Sequence, residues 1–362
     1  MTPRTVLVAG AGLAGSRCAE SLRARGFGGR IVLAGDESHA PYERPALSKE
    51  LLAGTKTDVA LRPPSFWEEQ EIELVLGDSV TAVDPERHTA RVGTQVLAWD
   101  VLVHATGVRA RRVDGPPGVL HLRTLDDALA LRSRVTSDSR VVVAGAGFIG
   151  GEVASSLSGI VAGVTVVDPA GAPLERVLGP EVGGLLARRY RDYGVDLRLG
   201  VGVRGFLGEP WLQGVELTDG TAVPADVVVV GIGSVGAAVT VDACGRTATP
   251  GVYACGDVAA WRRNGRHLRV EHWTSAAGQA RSVAASILGD DEPYDEPPYF
   301  WSDQFGLRLQ HVGHADEWHA VVLEGDELSF TARFHDARGR LLAALAANRT
   351  GDAASFRREL AA

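Results

Sequence analysis

Val6-Leu7-Val8-Ala9-Gly10-Ala11-Gly12-Leu13-Ala14-Gly15 and Val141-Val142-Val143-Ala144-Gly145-Ala146-Gly147-Phe148-Ile149-Gly150 decide the fold, because the second stretch repeats the first. In each, a β-branched run that reads as a buried parallel strand enters Gly-x-Gly-x-x-Gly. The first glycine turns the chain tightly, the second lets backbone approach a pyrophosphate, and the third seats a helix on the sheet. The helix start then offers unpaired amides to an anion. A single copy is weak evidence, since it can also be only a tight strand–helix turn. Two copies, each followed by helix, strand and acid, imply two adenine dinucleotides on one chain.

After the first copy a helix is expected over Ser16 to Arg25 and a strand over Arg30 to Ala34, delivering Asp36 and Glu37. Either acid could accept hydrogen bonds from an adenosine ribose. After the second copy the strand is Val164 to Val167 with Asp168 at its end, where a carboxylate pairs with both ribose hydroxyls and repels a 2′-phosphate. No lysine or arginine occupies 169–175, so the spacing predicts NADH rather than NADPH.

The 362 residues exceed one growing core and suggest two or three domains; 45% apolar content and 44 glycines suit an α/β protein rich in strand–helix turns. A net charge of -8 argues against general nucleic-acid or membrane binding, while leaving room for a local basic patch that steers an acidic partner. The three cysteines, Cys18, Cys244 and Cys255, lack metal-finger spacing. MTPRTVLVAG enters a strand at once and no apolar run reaches membrane-spanning length, so the expectation is a soluble, cytoplasmic protein.

The first unit is interrupted by a polar, proline-bearing excursion from Ser38 to Pro64 and closed by the buried strand Trp99-Asp100-Val101-Leu102-Val103-His104-Ala105-Thr106-Gly107. An arginine-, proline- and glycine-rich crossing runs from Arg109 to Val119. The second unit continues through strands at Val195 to Leu199 and Val227 to Gly233, with a hairpin turning at Asp219-Gly220. Gly251 to Asp257 is a short strand ending in Gly-Asp that need not belong to the second unit. Beyond Glu296, FWSDQFGLRLQHVG, WHAVVLEG and LSFTARF read as short strands, followed by a helical tail from Ala353 to Leu360.

With these motifs the chain resembles the NADH-dependent ferredoxin reductases that feed oxygenases and cytochromes P450, over essentially its whole length. The resemblance implies two Rossmann-like domains, for FAD and NAD, plus a small C-terminal α+β domain, an α/β architecture of glutathione-reductase type. The implied division is 1–108 with 237–295 for FAD, 109–236 for NAD, and 296–362 for the C-terminal domain. FAD would be held by Gly10, Gly12, Leu13, Ala14, Gly15, Glu37 as the preferred acid, Val80, Thr106, Gly107 and Arg123, with Arg44 near the pyrophosphate. Lys49 in Pro41-Tyr42-Glu43-Arg44-Pro45-Ala46-Leu47-Ser48-Lys49 would approach the isoalloxazine; a solvated lysine beside Glu50 is the plainer reading.

Gly256-Asp257 resembles the Gly-Asp whose carboxylate meets the ribityl chain; otherwise Asp257 would cap a helix starting near Val258. Glu271-His272-Trp273 resembles the family's Glu-His-Trp element, placing Trp273 near flavin and nicotinamide; a core tryptophan at the domain junction is the alternative. NADH would lie along Gly145, Gly147, Phe148, Ile149, Gly150, Asp168, Gly231, Ile232 and Gly233. Glu152, on the first helical turn, would stand close to nicotinamide and flavin, or would merely complement the helix dipole. Lys49, Glu152 and Trp273 are thus the candidate catalytic residues.

No cysteine lies between Glu37 and Leu61, which excludes a thiol relay at that position and sends electrons from FAD directly to a partner. That partner is expected to be an iron–sulfur ferredoxin, met by a rim of Arg308, Arg262, Arg263 and Arg266; solvated arginines are the plainer reading. Monomer or weak dimer is expected, with no metal. Three departures mark this chain: Gly151 stands where leucine is usual, Gly233-Ser234-Val235-Gly236 replaces the commoner GxxPN ending, and the last domain is short. The rival functions are a rubredoxin or small-molecule reductase, and an NADH-sensing flavoprotein acting as a protein-binding switch.

Overall fold

The computed structural model describes residues 3–263 and 265–361. Strands apolar on both faces demand cover on both sides, the condition for a parallel sheet wrapped by helices. Thr5–Ala9 is the centre of a five-stranded parallel sheet ordered Val252–Ala254, Val101–His104, Thr5–Ala9, Arg30–Gly35, Ile72–Leu76. The strand at Val252 therefore returns from far along the chain to pair with Val101–His104.

A second five-stranded parallel sheet repeats this plan, ordered Asp196–Leu199, Gly163–Asp168, Arg140–Ala144, Val227–Val230, Val119–His121. The expected hairpin forms, Gly214–Leu217 against Ala222–Pro224. The crossing after Arg109 also returns, Arg109–Ala110 pairing antiparallel with Ser234–Val235.

Two helices of small residues back the first sheet. Ala14, Cys18 and Leu22 of Leu13–Ala24 share a core with Ala276, Ala280 and Val283 of Trp273–Ile287. The turn at Gly256 fits into this contact: φ is +76° and a Cβ there would stand 2.7 Å from that of Ala14.

The C-terminal part is a five-stranded antiparallel sheet ordered Tyr299–Gln304, Leu307–Gly313, Leu341–Ala347, Phe330–His335, Ala320–Gly325, with the helix Thr350–Ala361 on one face. Leu341–Ala347 went unread in the sequence, where LLAALAA carries helical propensity. It is a strand because it lies between two layers. Leu345 and Ala347 face Leu178, Val182 and Leu186 of the helix Glu175–Asp192, while Ala344 and Ala346 face Phe356 of the last helix. Small alanines let both layers close on the sheet, and burial overrides local preference. Among the described residues no helix is long and apolar enough to cross a membrane.

Candidate functional site

The first glycine turn is packed against the end of the neighbouring strand. Gly10 has φ +119°, and a Cβ on it would collide with the carbonyl of Ala105, beside Thr106 and Gly107. A Cβ on Gly15 would collide with the carbonyl of Gly10, so the helix is seated as closely as the fingerprint requires. Gly12 caps the helix with no side-chain bond to its amides, and its Cβ position faces open space. That is a cradle for an anion.

Of the two acids left open by the sequence, Asp36 turns outward to Arg109 at 3.3 Å. Glu37 turns inward, accepting from the Tyr42 hydroxyl at 2.5 Å and pairing with Arg44. Arg44 also donates to the Arg123 carbonyl at 2.7 Å, and Arg123 pairs with Asp257 at 2.9 Å. Glu37, Arg44, Arg123 and Asp257 thus form one continuous polar wall. No helix starts near Val258; the chain turns and enters the strand Ala259–Arg263, so Asp257 does not serve as the cap considered above. Val80 opens a small three-stranded sheet and packs against the core containing Val32 and Ala34.

The second turn repeats these contacts. Gly145 has φ +111°, and a Cβ would collide with the Gly231 carbonyl; one on Gly150 would collide with the carbonyl of Gly145. Gly147, the N-cap of Phe148–Leu157, again lacks a side-chain cap and faces open space. Asp168 accepts from the amides of Ala146 at 2.6 Å and Ala170 at 2.8 Å, strapping the glycine turn to the next strand. An ionised carboxylate has lone pairs beyond those two. Ile149 and Ile232 are exposed beside this turn, with Gly233 next to them.

The two cradles meet through buried side chains. Lys49 lies 3.3 Å from Glu152, and their side chains are 11% and 6% exposed, which sets aside a solvated lysine. Glu152 lies on the second helical turn, not the first, and its carboxylate also accepts from Ser48 at 2.5 Å and Ser302 at 2.7 Å. Burial pushes the Glu152 carboxyl above the usual range, with Lys49 and the two serines pulling against it. Ser48, Ser302 and Tyr42 were not singled out from sequence. A signal existed for Ser302: Tyr299–Gln304 alternates with Phe300, Ser302 and Gln304 buried, and polar residues in that phase need buried partners.

Glu271 accepts from Ser234 at 2.6 Å and pairs with Arg269 at 2.8 Å, so the unusual Gly233-Ser234-Val235-Gly236 segment joins the Glu-His-Trp element to the second unit. His272 lies 4.5 Å from Phe300, and burial pushes its imidazole down to about 4. Trp273 opens the helix at this junction, half-buried.

The four arginines are not drawn into one cluster by any ion pair. Arg308 pairs with Asp303 at 3.4 Å, whereas Arg263 sits at 3.7 Å from Asp295 and donates to the Glu296 carbonyl. Arg262 and Arg266 lie exposed on the hairpin Ala259–Arg263/Arg266–Arg269. Cys18, Cys244 and Cys255 are buried free thiols, and no metal-binding cluster occurs among the described residues.

Two uncapped helix starts with open glycine positions, each beside a carboxylate, fit two dinucleotides. The pyridine nucleotide-disulphide oxidoreductase family model matches residues 4–280, and the reductase C-terminal model matches residues 299–362. The ferredoxin–NAD(+) reductase component of the p-cumate 2,3-dioxygenase system of Pseudomonas putida is 36% identical, covering 98% of this chain and 92% of that one. The covalent putidaredoxin reductase–putidaredoxin complex matches with a TM-score of 0.95 at 32% identity, covering 100% of this chain and 94% of that one. The ferredoxin reductase for the CYP199A2 system of Rhodopseudomonas palustris matches with a TM-score of 0.91 at 38% identity, over 96% and 92% of the two chains.

Proposed function

The chain belongs to the pyridine nucleotide-disulphide oxidoreductase family and carries a reductase C-terminal domain, and from that premise we propose an FAD-dependent NADH:ferredoxin oxidoreductase that supplies an oxygenase or cytochrome P450. The observation that carries this reading is the contact of Lys49 with Glu152, which joins one dinucleotide cradle to the other at 3.3 Å. In this reading residues 1–108 and 237–295 hold FAD, 109–236 hold NADH, and 296–362 form the C-terminal domain.

FAD bound here would supply the hydride acceptance and single-electron delivery that link NADH to an iron–sulfur partner. The protein's task is to bind, orient and set the field. The amides after Gly12 and Gly147 would hold the two pyrophosphates, Glu37 and Asp168 would take the riboses, and Asp257, braced by Arg123, would meet the ribityl chain. Lys49 places positive charge beside the flavin. The Glu152 carboxylate stabilises the positive charge that the nicotinamide acquires as it loses hydride. Trp273 would cover the junction, and the amides of its helix start would favour negative charge on a flavin bound there. Buried free thiols suit a reducing compartment, and we place the enzyme in the cytoplasm.

The test is anaerobic stopped-flow reduction of the flavin-loaded protein by NADH, then mixing with a two-iron ferredoxin, a three-iron ferredoxin and rubredoxin. Rapid bleaching with reoxidation by a ferredoxin is expected. Reoxidation by rubredoxin alone, or by none of the three, would reject the ferredoxin assignment.

A further inference from the structure

A polar chain continues behind Glu152. The Tyr190 hydroxyl donates to Gln304 Oε1 at 3.2 Å, Gln304 Nε2 donates to Ser302 Oγ at 3.2 Å, and Ser302 Oγ donates to Glu152 Oε1 at 2.7 Å. All four residues, with Ser48, are at most 4% exposed. A serine hydroxyl has one hydrogen, so with Gln304 donating to its oxygen, Ser302 commits that hydrogen to Glu152. Ser48 donates to the other oxygen, Oε2, and Lys49 shares Oε1 with Ser302. Every hydrogen in the chain points toward the carboxylate, and an ionised carboxylate accepts all three donors, whereas a protonated one would have to donate to one of them.

The arrangement depends on Gly151. A Cβ there would collide with Gln304 Oε1, stand 2.5 Å from the Tyr190 hydroxyl and lie 2.9 Å from Gln304 Cδ. A leucine at this position would expel Gln304 from the chain of bonds. The glycine and the glutamine come from different parts of the fold and are spatially matched.

We propose that Ser302 and Gln304 are positioning residues that fix the Glu152 carboxylate, ionised, against Lys49, and that glycine at position 151 gives them the room to do so. The inference rests on the oxidoreductase reading of the Lys49–Glu152 pair. The titratable groups facing Glu152 are Lys49, from the segment after Arg44, and Tyr190, from the helix Glu175–Asp192. Burial keeps the Tyr190 hydroxyl protonated well above its ordinary range, so it remains the terminal donor. Losing one charge-assisted hydrogen bond raises the proton affinity of Glu152 about tenfold, moving its titration up by about one pH unit.

The experiment follows flavin reduction at saturating NADH across the acid and neutral range. In parallel, the infrared band of a protonated carboxyl group is titrated in the resting flavin-loaded protein. Ser302→Ala removes a donor to the carboxylate and is expected to move the acid limb and the infrared titration upward by about one pH unit; Gly151→Ala displaces Gln304 but leaves Ser302 bonded to Glu152, and is expected to move both upward by less. Ser302→Thr, which keeps the hydroxyl, should leave both in place. If Glu152→Gln abolishes the limb and the band while Ser302→Ala and Gly151→Ala leave them unmoved, the positioning role is wrong and the reading of Glu152 stands. If Glu152→Gln leaves both unchanged, the role of Glu152 itself falls, and this inference with it.

Discussion

Replacing His311 with phenylalanine should flatten the acid dependence of stability. His311 is 5% exposed, its ring stacks 4.9 Å from Phe300, and its Nδ1 has no partner. Burial, reinforced by His272 and His314, pushes its imidazole down to about 3 from an ordinary 6.5. With the folded value depressed, the unfolded chain takes up the proton that the folded chain refuses. The stability is therefore intact above the unfolded value and is lost as pH falls through it. Between about pH 7 and about pH 5 this one group removes about 2 kcal/mol, from the ratio of the two proton-binding polynomials. His311→Phe keeps a ring against Phe300 and Phe334 and removes the titration. Urea unfolding at fixed excess FAD, at those two pH values, should show the parent losing about 2 kcal/mol more than the variant. Equal losses would mean that His311 is protonated in the folded protein or reached by water, and would refute the argument.

If Asp168 takes the ribose as proposed, Asp168→Ala removes that acceptor, and it also releases the amides of Ala146 and Ala170. The NADH concentration for half-maximal reduction should rise roughly 10- to 100-fold with little change in the rate of bound hydride transfer; an unchanged NADH dependence in steady-state kinetics would count against the assignment. Arg308→Glu sets a second negative charge beside Asp303. If Arg308 meets an acidic ferredoxin, kcat/KM for ferredoxin should fall several-fold at low ionic strength and recover part of the loss in high salt. The same kcat/KM for variant and parent at low salt would remove Arg308 from the docking surface.

The duplicated nucleotide unit was legible because its determinants are local. Strand, glycine turn, helix and acid follow one another within a few dozen residues, and each sets its own geometry. The spacing of the glycines alone assigns each its role. Leu341–Ala347 was not legible, since the preference of its leucines and alanines opposes the strand they form. Only the helices packed on its two faces decide the matter. The preference for Glu37 over Asp36 needed the family resemblance at the sequence level; the structure adds that Tyr42 and Arg44 turn Glu37 inward while Asp36 meets Arg109.

The meeting point of the site was the least legible part, for a topological reason. Ser48 and Glu152 are 104 residues apart, and Glu152 and Ser302 are 150 apart, so no sequence window contains the constellation. Each piece has a bland local reading: a serine in a turn, a glutamate in a helix, a serine in a strand. What makes the position exacting is burial, because a carboxylate withdrawn from water without donors would simply take up a proton. Two segments must then supply donors to a carboxylate carried by a third. The Glu152 carboxylate therefore ties both dinucleotide units and the C-terminal sheet to one geometry, and a shift of any of the three would be felt at Lys49.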